Sequence, residues 1–81
     1  MSDITLSKKA IEIKLGIYEH YKRKQYEVIG VVIHSETLEE LVLYKALYGE
    51  KLTWVRPFNM FFEKVKINGV TQPRFKFLKK K

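Results

Sequence analysis

The sequence predicts a mainly β domain, a small SH3-like barrel of five or six short strands with one short helical turn near residues 57–62. Three features of the 81-residue chain carry that prediction. Apolar residues alternate with polar ones in several segments, the period of a half-buried strand. The run Tyr26-Glu27-Val28-Ile29-Gly30-Val31-Val32-Ile33-His34 is β-branched and apolar on both faces, as in a central strand. Asn68-Gly69, set between two such segments, suits the positive φ angles of a tight hairpin turn.

In chain order, residues 1–10 read as a loose lead-in, 11–78 as a single domain and 79–81 as a basic tail. Ile11, Ile13, Leu15 and Ile17 alternate with Glu12 and Lys14, which predicts a first strand with Gly16 at a bend or bulge. That strand continues through Tyr18–Lys22 and turns at Arg23-Lys24, a hairpin register that sets His20 opposite about Glu27. Gly30 marks a bend in the central strand, as at a barrel corner.

Residues 35–49 support two readings. Thr37 and Glu40 have capping-box spacing, and Gly49 sits where a helix over 38–48 would end. Against a helix, Leu41-Val42-Leu43-Tyr44 has no polar face, and Leu52–Arg56 is a strand that needs a partner. A hairpin of Leu41–Tyr48 with Leu52–Arg56, turning at Gly49-Glu50-Lys51, satisfies the backbone groups of both and is preferred. Pro57 ends the strand and opens a helical turn whose Phe58, Phe61 and Phe62 plug one barrel end. Glu63–Ile67 alternates into Asn68-Gly69, and Phe75 and Phe77 share one face of a last strand.

Composition limits the functions open to such a domain. Hydrophobic residues make up 46% of the chain, enough for a core. With no cysteine, neither disulfides nor thiolate zinc sites can form, so burial supplies the stability. No apolar run is long enough to span a membrane, and a cytoplasmic protein is expected. The net charge of +7 divides into +3 from Lys79–Lys81, +1 from residues 1–14 and +3 from residues 15–78. The folded part is only mildly basic, and the lysine run reads as a solvated tail.

The residues resemble those of the bacterial DUF1653 family, a domain of unknown function. The matching stretches are Gly16 through His20-Tyr21-Lys22, Tyr26–Val31, His34–Val42, Tyr44–Gly49, Trp54-Val55-Arg56-Pro57, Met60-Phe61 and Pro73-Arg74-Phe75, in order and at matching spacing. Two departures stand out. Arg23 occupies a position that is usually glycine, and Val32 one that is usually a small residue. The resemblance implies a domain from residue 16 to about 78 and supplies no reaction.

Candidate chemistry is sparse. His34-Ser35-Glu36 holds the residue types of a hydrolytic triad, yet adjacent strand residues point to opposite faces, so these read as turn residues. His20 and His34 are the two histidines and fall apart in the expected register, so no metal site is expected. No phosphate-binding glycine loop is present, Glu39 and Glu40 are too close to flank a substrate, and no cofactor is expected. What remains is an aromatic and basic set, Arg56, Trp54, His20, Lys22, Tyr44 and Arg74, alongside Tyr18, His34 and Glu36, with Arg56 foremost. The plainer alternative is a core role for Trp54 and most of the tyrosines, with Arg56 paired to Glu36 or Glu63. The first functional expectation is a non-catalytic binding module for a protein segment or anionic ligand. Weak nucleic-acid binding through the basic tail and aromatic face ranks second, and a small hydrolase or metal enzyme third.

Overall fold

The computed structural model of the protein describes residues 5–81. Its elements are α1 (Lys8–Ile11), β1 (Gly16–His20), β2 (Gln25–Ile33), β3 (Glu40–Ala46), β4 (Thr53–Pro57), α2 (Phe58–Phe61), β5 (Lys64–Ile67), β6 (Val70–Pro73) and β7 (Phe75–Lys79). All strand pairings are antiparallel. They build a five-stranded sheet, β4-β3-β2-β1-β7, and a separate two-stranded ribbon, β5-β6.

The mainly β class and the helical turn after Pro57 agree with the sequence reading; the closed SH3-like barrel does not. Among the described residues β4 and β7 are the two edges of the large sheet and do not pair with each other. The β5–β6 hairpin, which a barrel would draw into its wall, pairs only with itself. Alternation along a strand records which face is buried, and it is the same in an open and a closed sheet.

The contested segment is a strand. Glu40–Ala46 pairs with Thr53–Pro57, and the turn closes through Ala46 N–H donating to the Leu52 carbonyl and Lys51 N–H to that of Tyr48. The first strand starts later than expected. Ser7 caps α1 by accepting from the Ala10 N–H, while its own N–H and hydroxyl donate to the Glu40 carboxylate at 2.6 and 2.8 Å. Ile11 and Leu15 end up exposed, because no strand lies beside residues 11–15 to receive them. Of the lead-in, residues 1–4 lie outside the described residues.

The β1–β2 turn is also tighter than expected. Glu19 pairs with Gln25, and His20 N–H donates to the Lys24 carbonyl, so His20 faces Lys24 and not Glu27. Arg23 accomplishes this at φ 74°, the left-handed region that glycine occupies without cost. Gly30 lies beside a register shift between Val28 and Gly30, which bulges the exposed Ile29 outward. Lys79 is the last residue of β7, and the exposed Lys81 reaches the Glu27 carboxylate of β2 at 3.0 Å.

Direct pairing puts partners on one face of a sheet. Tyr18, Tyr26, Val28, Val42, Tyr44, Phe75 and Phe77 therefore share the inner face, and α2 lays Phe61 across it. Phe61 is fully buried and stacks on Phe75 with ring centroids 4.0 Å apart.

Candidate functional site

The inner face stays uncovered towards β4. There Trp54 pairs with Tyr44 and Arg56 with Val42, while on the other side His20 pairs with Phe75. Five strands, β1, β2, β3, β4 and β7, thus deliver aromatic and basic side chains to one patch. Tyr26, Tyr44, Tyr48, Trp54 and Arg56 line a small cleft of about 210 Å³. Edge-to-face contacts order its floor, with Tyr26 5.5 Å from Tyr44, Tyr48 and Phe75. The Tyr26 and Tyr48 hydroxyls share a short hydrogen bond.

Arg56 is held from below. Its Nε donates to the Tyr44 hydroxyl at 3.4 Å, and its guanidinium lies 6.0 Å from the centre of the Phe75 ring. Among the described residues it has no carboxylate partner: Glu63 pairs with Arg74 and Glu36 lies in the β2–β3 turn. Trp54 beside it is 51% exposed.

His20 extends the patch. Its Nδ1 accepts the Lys22 N–H at 3.1 Å, which in the neutral ring leaves the proton on Nε2. Partial burial, then the charges of Arg74, Lys22 and Arg56, push its pKa below the usual histidine value. Burial and the Tyr48 hydrogen bond hold the Tyr26 phenol far above the ordinary tyrosine range. A neutral imidazole among three cations and a phenol that keeps its proton suit the reception of negative charge better than the removal of a proton.

Of the residues singled out from sequence, the structure thus gathers Arg56, Trp54, Tyr44 and His20, with Lys22 and Arg74 near enough to act on His20. Arg74 is already paired with Glu63. His34 and Glu36 are elsewhere: His34 Nδ1 accepts the backbone N–H groups of Glu36 and Thr37, and Thr37 Oγ1 that of Glu39, which caps the β2–β3 turn. No cluster of metal-ligating side chains occurs among the described residues. The sequence reading missed Tyr26, Tyr48 and Phe75. Tyr26 and Phe75 could have been found from the register, since they pair with Tyr18 and His20 on the inner face.

A larger groove, about 620 Å³, lies between α1, α2 and β7, with Ile13, Phe58, Phe62 and Phe77 at its floor and Lys9, Lys14 and Lys76 at its rim. Its size exceeds that of the cleft, but Lys9, Glu12, Lys14 and Lys76 are all exposed residues. The groups that could orient a ligand meet at Arg56.

A sequence profile of the protein family of unknown function DUF1653 matches residues 16–77. A crystal structure of a DUF1653 protein from Bordetella bronchiseptica is similar over 88% of this chain and 94% of that one, with 29% sequence identity and a TM-score of 0.81. Among curated proteins no match is found.

Proposed function

We propose that this chain, which belongs to the DUF1653 family, is a non-catalytic binding module that grips an anionic group with Arg56 and rests the adjoining planar or apolar part of its ligand on Trp54. The observation that carries this reading is a half-buried guanidinium without a carboxylate partner among the described residues, flanked by the Tyr44 hydroxyl and a half-exposed indole. A charged hydrogen bond made in such surroundings contributes about 1.5–3 kcal/mol. The cleft is smaller than the ~300 Å³ at which sites for whole small molecules begin, so it suits one carboxylate or phosphate with its neighbouring atoms. An acidic or phosphorylated protein segment, or a small anion, has that form. We read the module as cytoplasmic, as its lack of cysteine suggests.

Trp54 is the one tryptophan in the chain and so reports on its own site. Titration with pyrophosphate, a nucleoside monophosphate and a glutamate-rich peptide should shift its emission for at least one of them. Arg56→Ala should weaken that binding by roughly tenfold or more. If none of these anions moves the emission at millimolar concentration, or if Arg56→Ala binds as well as the native chain, the reading is wrong. A single-stranded oligonucleotide bound with a steep salt dependence would favour nucleic acid instead.

A further inference from the structure

The two edges of the large sheet are built differently. The β7 edge carries Lys76 and Lys79 and continues into Lys80 and Lys81, and lysines along an edge discourage pairing with another strand. The β4 edge has no lysine and no acid from Leu52 to Pro57. Leu52, Trp54 and Val55 are each 51% exposed there, and among the described residues no strand lies beyond them. We propose that β4 is an interface for a second copy of the same strand, and that two molecules pair through antiparallel β4 edges about a two-fold axis at Val55.

The register supports self-pairing. Ala46 N–H donates to the Leu52 carbonyl, so by antiparallel alternation the N–H and C=O groups of Trp54 and Arg56 also face β3. Those of Thr53 and Val55, and the Pro57 carbonyl, then face outward. Centred on Val55, each Val55 N–H meets the partner's Val55 carbonyl, and each Thr53 N–H meets the partner's Pro57 carbonyl. Proline lacks an N–H, but it stands at the end of the ladder, where its absence costs one bond on each side. The same register sets Trp54 opposite the partner's Arg56 in the closer, non-hydrogen-bonded class of pair, so cation and indole face meet twice across the axis. No like charges stand opposite each other. A strand that is complementary to itself in backbone donors and in side chains fits a symmetric dimer better than an unrelated peptide.

This interface goes beyond the anion-binding reading and takes in Trp54 and Arg56 of the cleft, but it is tested at Val55 and Thr53, which do not line that cleft. Sedimentation of the full chain should show the mass doubling as concentration rises, and Val55→Lys should return it to monomer with an unchanged circular dichroism spectrum. The chain has no cysteine, so Val55→Cys introduces a single thiol. Paired across the axis, the two Cα atoms lie about 5.5 Å apart, within reach of a disulfide, whereas Thr53→Cys thiols lie some 13 Å apart. Val55→Cys should cross-link at least roughly tenfold faster than Thr53→Cys under mild oxidation. A chain that stays monomeric to about 1 mM, a dimer indifferent to Val55→Lys, or equal cross-linking at both positions overturns the proposal. Calorimetric titration with pyrophosphate, which does not depend on the surroundings of Trp54, should show that monomeric Val55→Lys still binds it, which separates loss of the interface from loss of the cleft.

Discussion

Gly16 is where the backbone leaves least room. A Cβ built there would lie 2.4 Å from the Lys79 carbonyl oxygen, and its φ of 142° is one that side-chain-bearing residues rarely adopt. Gly16→Ala should therefore cost about 2–4 kcal/mol, read as a lower urea midpoint, because strain and the displacement of β7 add. Arg23 presents the opposite case, a side-chain-bearing residue at φ 74°. Arg23→Gly should raise stability by up to about 1 kcal/mol, since relief of left-handed strain outweighs the added freedom of the unfolded chain. His20 gives a pH dependence. Its folded pKa is lowered, so below the unfolded value of about 6.5 the unfolded chain binds the proton first. The stability contributed by neutral His20 is whole above that pH and drains away as pH falls below it. The urea midpoint should drop between about pH 7 and 5 in the native chain, and less in His20→Gln.

Among the described elements, β5 and β6 pair only with each other and add no strand to the main sheet. Two-stranded ribbons are marginal alone, and this one is mostly exposed and clasped at its base by Glu63 and Arg74 through a side-chain ion pair and an Arg74 N–H to Glu63 carbonyl bond. Its amides should exchange with deuterium faster than those of β2 and β3 by about 100-fold or more, as expected of a unit that opens locally. Gly69→Ala, at φ 79° with open space around it, should loosen the ribbon by about 1 kcal/mol and leave exchange in β2 and β3 unchanged. The Asn68-Gly69 turn was legible in the chain because two residues and their φ angles specify it. That the ribbon would stand apart from the main sheet was not, since its alternation also fits a wall of a barrel.

The molecule as a whole depends on one short helical turn. Phe61 touches the rings of Tyr18, Tyr44, Phe62 and Phe75, and through Phe75 it supports both His20 and Arg56. Phe61→Ala should cost about 3–5 kcal/mol, a large part of the 5–15 kcal/mol that holds a small domain together. Thermal unfolding checks the loss, and Trp54 emission should report a disturbed cleft even where the fold survives. The cleft was partly legible: Arg56, Trp54, Tyr44 and His20 stood out as aromatic and basic residues. Their convergence with Tyr26, Tyr48 and Phe75 depends on four strand pairings, which no local pattern contains.

From its residues alone the chain announces a β domain, a hairpin over 41–56 in preference to a helix, a turn at Asn68-Gly69 and a helical turn after Pro57. These follow from alternation, missing donors and special φ angles, properties of a residue and its near neighbours. Whether the sheet closes, where residues 11–15 go, and which basic side chains meet were settled by contacts distant in sequence. Glu40 draws Ser7 into a helical cap, β7 takes the place beside β1, and β4 is left as an edge. Each of these depends on which strand finds which partner, and that choice is made by the free energy of the assembled sheet and its aromatic core.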